Sequence, residues 1–254
     1  MDLVKTKKVL EIMKGVDIGE AGIFAEGDDK NQIRGIMQDK TTIMFTETDR
    51  FIEHQVGILS VKGLLSRLTL FDEAKMGVEL KTLQSKKSDD EFVNMIILKE
   101  GRRRSKVTTT DPSMMKTIPT MYPECETVLT GVITKEYVDY INKMKASINT
   151  SISTETLYVE MFFESDDETS IGISIGGGYD DFDDRVDAEI EPDYVGKSFS
   201  VQWKIDPFIR AMRQAASSCE DDDIVFKITD MGFLEIDVDG VIITVAPMNV
   251  TKPH

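Results

Sequence analysis

Residues 57–80, GILSVKGLLSRLTLFDEAKMGVEL, hold a helix that runs directly into a strand. Val61, Leu64, Leu65 and Leu68 fall at the i, i+3, i+4, i+7 spacing that gathers apolar side chains on one helical face, and this predicts a helix over 60–71. From residue 76 the pattern becomes the alternation of a strand, 76–83. The same helical signature occurs three more times. Residues 4–14 align Val9, Ile12, Met13 and then Val16. Residues 134–146 open on Thr134, a residue suited to an N-cap, and align Tyr137, Ile141, Met144 and Ile148. Residues 204–214 align Ile205, Phe208, Ile209 and Met212, with Asp206 and Pro207 as the acid and proline of a first turn.

Strand-like runs separate these helices. They cover 32–38, 41–47, 51–59, 76–83, 92–98 and 104–110 in the first half, then 157–163, 169–175, 184–190, 197–203, 223–229, 233–238 and 241–246 in the second. Asp239-Gly240 between the last two is a hairpin signal. The order is helix, strands, helix, strands, written twice, so the chain reads as two similar α+β domains, 1–110 and 125–254, each with two helices on antiparallel sheets. Between them DPSMMKTIPTMYPE, residues 111–124, has three prolines and no sustained period, which predicts an extended linker.

Composition narrows the function. The 254 residues include two cysteines, Cys125 and Cys219, with no C-x-x-C spacing, and two histidines, His54 and His254. Zinc sites and histidine-based relays are therefore poorly supplied, no cofactor is expected, and an enzyme is disfavoured. No apolar run approaches the length of a membrane helix and no signal pattern follows Met1, so the expectation is a cytoplasmic protein that does not contact membranes.

A net charge of −16 argues against nucleic acid on average, yet the charge is segregated. The four predicted helices carry twelve basic side chains: Lys5, Lys7, Lys8, Lys14, Lys62, Arg67, Lys135, Lys143, Lys145, Lys204, Arg210 and Arg213. They carry four acidic ones: Glu11, Glu136, Asp139 and Asp206. That surplus of eight leaves −24 on the rest of the chain. One amphipathic helix with lysines on its wet face is unremarkable, whereas four of one sign in so acidic a chain describe a layer that attracts phosphate. No zinc finger, stacking motif or recognition helix is present, so the contacts expected are with phosphates and are not sequence-specific.

Three motifs imitate catalytic sites. Gly172-Ile173-Ser174-Ile175-Gly176 matches G-x-S-x-G but lacks the following helix and a nearby histidine, so it reads as a strand. Asp237-Val238-Asp239-Gly240 fails the spacing of a calcium loop. The acids of 180–193 alternate with Val186, Ala188 and Ile190 and read as an acidic strand rather than a metal cluster.

The runs at 57–80 and 226–247 (FKITDMGFLEIDVDGVIITVAP) and the linker from Asp-Pro-Ser to Ile118-Pro119 resemble the sliding clamps of T-even-type phages. Ile118, Pro119, Tyr122 and the terminal Ala246-Pro247 also resemble proliferating cell nuclear antigen, the eukaryotic clamp. The resemblance implies a clamp fold assembling as a homotrimeric ring, six domains around a hole lined by helices. Domains of this size are about 35 Å across, and six of them enclose a hole on the order of 35 Å, wide enough for a duplex. It further implies double-stranded DNA threaded without sequence preference, a DNA polymerase as client, and a separate clamp-loader ATPase, since no G-x-x-x-x-G-K-[ST] occurs. A client-peptide pocket is expected from Ile118, Met121, Tyr122, Ala246, Pro247 and Met248. In related rings the last strand of the first domain pairs with the next subunit, so Arg102, Arg103, Arg104 and Lys106 are expected to meet Asp183, Asp184, Asp187 and Glu189 across a subunit interface, unless both stretches are solvated. The competing readings are an acidic DNA mimic that binds DNA-processing enzymes and a metal-dependent hydrolase.

Overall fold

The computed structural model describes residues 2–27, 29–87, 89–115, 118, 125–147, 157–163, 170–176, 185–190, 199–218 and 222–251. The chain divides into two compact units, Met1–Tyr122 and Pro123–His254.

The first unit runs α1 (Leu3–Gly15), β1 (Ala21–Glu26), β2 (Lys30–Ile36), β3 (Thr42–Asp49), β4 (Val56–Ile58), α2 (Val61–Leu68), β5 (Gly77–Gln84), β6 (Glu91–Glu100) and β7 (Arg103–Thr108). One antiparallel sheet has the order β3-β2-β1-β4 and a second the order β5-β6-β7. α1 and α2 pack on each other, and Val9, Ile12, Met13, Val16, Val61, Leu64, Leu65 and Leu68 are all buried. Each such side chain stabilises the fold by about 1.5–3 kcal/mol relative to exposure. Ser60 starts α2, its hydroxyl accepting from the Gly63 amide at 3.0 Å.

A single buried amide fixes where α1 begins. Asn31, 0 % exposed on β2, accepts from the amides of Phe51 (2.8 Å) and Ile52 (3.0 Å) and donates to the carbonyls of Ile52 (3.0 Å) and Phe24 (3.2 Å). The Phe51 carbonyl in turn accepts from the amide of Asp2, the N-cap of α1, at 2.7 Å. The basic helix is thus moored to the sheet through an asparagine and a loop.

The second unit runs β8 (Thr127–Thr134), α3 (Lys135–Ser147), β9 (Tyr158–Phe163), β10 (Ser170–Gly176), β11 (Arg185–Ile190), β12 (Phe199–Lys204), α4 (Ile205–Ser218), β13 (Asp223–Thr229), β14 (Leu234–Val238), β15 (Val241–Val245) and β16 (Asn249–Thr251). Its strands follow the order β16-β12-β9-β10-β11-β8-β13-β14-β15 and pair antiparallel. α3 and α4 pack on each other. Trp203 is buried against Phe208, with ring centroids 6.1 Å apart, and its indole donates to the Gly232 carbonyl at 3.1 Å, which satisfies the one polar atom it carries inside. The Asp239-Gly240 turn closes the β14–β15 hairpin with both residues at positive φ, as such turns require. Among the described residues no helix is long and apolar enough to cross a membrane.

Among the described residues the sequence pattern missed three strands, and each miss has a cause. β8 presents Leu129, Gly131 and Ile133 inward, and the middle position reads as blank because the Phe226 ring occupies the space a side chain on Gly131 would need. β1 opens on a buried run, Ala21–Ile23, that is apolar without alternation. β16 is three residues of backbone pairing at the end of its sheet. The expected strand 51–59 shrinks to β4, because Phe51 and Ile52 are buried as loop residues held by Asn31. On α3 the buried row is Val138, Ile141 and Met144, whereas Tyr137 is 39 % exposed in the first turn; Ile148 lies outside the described residues.

The linker is not extended at its start. Pro112–Met114 form a 3-10 turn capped by Asp111, whose carboxylate accepts from the Ser113 amide (2.9 Å), the Ser113 hydroxyl (2.6 Å) and the Ser85 hydroxyl. Lys87 donates to the Ser113 carbonyl at 3.0 Å. Burial alone would raise the Asp111 carboxyl, but the hydrogen bonds from Ser113 and Ser85, with the Lys87 charge, outweigh it and hold the group below the usual carboxylate range.

Two outcomes are expected. Asn31→Ala takes the Asn31 amide away from three buried backbone groups and one part-buried one and costs roughly 3–5 kcal/mol in urea denaturation; a loss below about 1 kcal/mol contradicts the mooring. A depressed folded pKa stabilises above the unfolded value and is lost as pH falls through the folded one. Asp111→Asn therefore lowers stability at neutral pH and flattens the loss of stability below about pH 4, measured by thermal unfolding across pH.

Candidate nucleic-acid interface

The buried face of each helix fixes where its charges point. With Val9, Ile12, Met13 and Val16 turned inward, α1 presents Lys8, Glu11 and Lys14 to solvent; α2 presents Lys62 and Arg67, α3 Glu136, Asp139 and Lys143, and α4 Arg213. Lys5, Lys7, Lys135, Lys145, Lys204 and Arg210 are half-buried. Lys204 belongs to the end of β12, so the helices as folded hold eleven basic and four acidic side chains.

The twelve cations are not equivalent. Lys7 lies 2.6 Å from Glu73, and that hydrogen-bonded carboxylate raises its pKa despite some desolvation. Lys5 pairs with Asp49 at 4.0 Å and donates to its carbonyl at 3.1 Å, Lys135 lies 4.0 Å from Asp222, and Lys145 bonds Asp206. Arg210 donates to the Asp206 carbonyl at 3.3 Å. Lys14, Lys62, Lys143 and Arg213 are exposed and make no ion pair among the described residues. They are the cations most open to a phosphate. Sequence reasoning could not sort the two groups, because Asp49, Glu73 and Asp222 come from outside the helices whose charges it counted.

The second feature is a strand edge. Among the described residues β7 pairs only with β6 and forms the margin of its sheet. Two arginines lace it to α2. Arg67 Nη1 donates to Ser105 Oγ (3.1 Å) and to the Lys106 carbonyl (3.3 Å), while Arg103 donates back to the Leu70 carbonyl (3.3 Å) and to Glu100 (2.8 Å). Arg102, Arg104 and Lys106 are exposed. Between α2 and β7 lies a groove of about 430 Å³, with Leu59 half exposed at its rim.

Of the expected acidic counterpart, Asp187 and Glu189 sit on β11, which pairs with β10 along 185–189 and with β8 through Glu189 and Ile190; among the described residues the first part of β11 has β10 alone beside it. Asp183 and Asp184 lie outside the described residues. Of the expected peptide pocket, Ile118 is 7 % exposed and fills the space beside Gly22 on β1, so it is core of the first unit. Ala246 and Pro247 are half-buried and Met248 exposed in the second unit, with the Met248 amide on the Gln202 carbonyl at 2.7 Å. Met121 and Tyr122 lie outside the described residues.

The motifs that imitate enzymes occupy strands and turns. Gly172–Gly176 is the last five residues of β10, paired with β9 throughout and with β11 as far as Ser174, with Ile173 and Ile175 buried, and no sharp turn lifts Ser174. No group of three or more acidic, histidine or cysteine side chains among the described residues could hold a metal ion.

No family model matches the chain, and no curated protein matches its sequence. Solved structures do match. PCNA of A. fulgidus, solved with the C-terminal region of FEN-1, superposes with a TM-score of 0.64 at 16 % identity over 99 % of this chain and 98 % of that one. The beta clamp of Helicobacter pylori bound to a DNA ligase peptide gives 0.61 at 11 % identity, covering 100 % of this chain and 67 % of that one. In the PCNA2-PCNA3 complex of Sulfolobus tokodaii the values are 0.57 and 13 %, with 98 % and 97 % covered. The chain has the α+β clamp fold, four described helices on antiparallel sheets.

Proposed function

We infer that this chain is one subunit of a sliding clamp, a homotrimeric ring that encircles duplex DNA and tethers a replicative DNA polymerase to it. The observation that carries this reading is the eleven-to-four basic surplus on the helices of a chain whose net charge is −16, in a fold shared with PCNA and the beta clamps. A ring linked around DNA holds on through closure. Its phosphate contacts can then be weak, each Lys or Arg exchanging one phosphate for the next as counterions return, and the ring slides. Acidic outer surfaces repel DNA from every face but the channel. Such a protein needs no catalytic group. It does need a separate ATPase to open it, and a cytoplasm that holds replicating DNA; the T-even-type phage clamps remain the subtype favoured by the runs at 57–80 and 226–247.

Client enzymes dock on the outside. A. fulgidus PCNA is solved with the C-terminal region of FEN-1 and the H. pylori clamp with a DNA ligase peptide, and by analogy short client segments would dock here with Met248 as an exposed apolar contact. Subunits would join through the basic edge of β7, with the acidic stretch 180–193 on the partner guiding approach. An acidic DNA mimic has no use for Lys14, Lys62, Lys143 and Arg213 exposed on four helices, which is why that reading is set second.

Two measurements test the proposal. Sedimentation is expected to give a mass near three times 28.6 kDa, and a monomer at all concentrations contradicts the ring. Neutralising Lys14, Lys62, Lys143 and Arg213 together is expected to reduce the salt dependence of duplex affinity by up to about 3–4 logarithmic units per decade of salt for each subunit in contact with the duplex, at about 0.9 per phosphate contact, with the trimer intact. The same change at Lys7, Lys135 and Lys145, already paired with carboxylates, has a smaller effect. An unchanged salt slope in the first variant removes the phosphate-facing layer.

A further inference from the structure

We propose that Arg67 is a guard on the edge of β7: in the free subunit it caps the central outward carbonyl of the strand, and it releases that carbonyl when a second copy of the chain pairs there. The inference rests on the ring reading for its second half only; the cap itself is a property of the single subunit.

The strand register identifies which groups are at stake. The β6–β7 hairpin closes on the pair Glu100↔Arg103, followed by Lys99↔Arg104, Leu98↔Ser105, Ile97↔Lys106, Ile96↔Val107 and Met95↔Thr108. In an antiparallel pair alternate residues direct both backbone groups across to the partner strand. Closure at 103 assigns 103, 105 and 107 to β6 and leaves 104, 106 and 108 facing outward. Beyond the strand the same alternation holds. Thr109 donates inward to the Asn94 carbonyl (3.0 Å), and Thr110 faces outward, exchanging bonds of 2.9 and 2.8 Å with Gly57 at β4. The outer edge is therefore answered at Thr110 by β4 and at the Lys106 carbonyl by Arg67, 3.3 Å away. The outward groups of Arg104 and Thr108 flank that capped carbonyl.

An incoming strand needs the Lys106 carbonyl. It would lie about 4.8 Å from β7 and alternate its bonds among residues 104, 106 and 108, so its amide opposite Lys106 competes for the oxygen that Arg67 Nη1 now approaches. Arg67 is exposed and reaches from the last turn of α2, and it can leave by side-chain rotation without disturbing the helix core of Leu64, Leu65 and Leu68. A long basic side chain over an edge is a recognised defence against indiscriminate strand pairing. Here the guard also makes closure reversible: the bond Arg67 gives up on assembly is subtracted from every subunit contact, which leaves a ring that a loader can open.

The test uses Arg67→Met, which keeps the apolar stem and removes the donors, with Arg67→Lys as the charge-preserving control. Lysine carbonyls are labelled with ¹³C and the Lys106 signal is read at concentrations where the chain is monomeric, while assembly is followed by sedimentation. The guard predicts a shifted Lys106 carbonyl signal in Arg67→Met and assembly tightened about tenfold per contact, with Arg67→Lys between the two. An unshifted signal overturns the cap, whatever the oligomeric state. A shifted signal with unchanged or weaker assembly overturns the release, since Arg67 would then keep its bond in the ring through the second lone pair of the oxygen. If the unaltered chain and Arg67→Met both stay monomeric, the ring reading fails and takes the release with it, while the carbonyl signal still decides the cap.

Discussion

A helix has one circumference, and in this chain the core takes half of it four times over. The apolar rows of α1, α2 and α4, and the Val138 row of α3, are buried, so the charges between them have one side left on which to emerge. A helix buried on both sides would exclude such charges, and an acidic chain with free choice would not place its lysines there. Lys14, Lys62, Lys143 and Arg213 emerge there without an ion pair among the described residues, and a polyanion would neutralise them, which is why the wet face of the helices is the part of the molecule that asks for a partner.

The remaining structure serves to hold those faces still. Asn31 moors the start of α1 through Phe51, Ser60 starts α2, and Trp203 anchors the base of α4 against Phe208. Arg67 and Arg103 lace α2 to β7, so the position of a basic helix and the readiness of a sheet edge are decided by the same two side chains. Surface bonds of this kind contribute modestly to stability. Their importance lies in what they occupy.

Periodicity made the helices legible because burial selects it directly: fifteen of the sixteen apolar positions that define the four rows are described, and of these only Tyr137 is exposed. Strand β8 escaped because its inward face is interrupted by Gly131, which yields its volume to Phe226, a residue about a hundred positions away. Nothing local records that exchange. The site was legible in outline and blurred in detail for a related reason. Counting charge along helices identifies the basic layer, but the carboxylates that occupy Lys5, Lys7 and Lys135 come from Asp49, Glu73 and Asp222, and only the fold brings them together. Ile118 likewise reads as a linker residue available to a peptide, and folding seats it on β1.

The central claim is that the four helices, with their joint surplus of basic side chains, surround a threaded duplex. Electron cryomicroscopy of the purified protein with a short blunt duplex tests it most directly. The account predicts a closed ring of three chains with an opening on the order of 35 Å, α1 to α4 facing the duplex and Lys14, Lys62, Lys143 and Arg213 within reach of its phosphates. A particle with no central opening, or a ring whose helices face outward and whose sheets face the DNA, contradicts it.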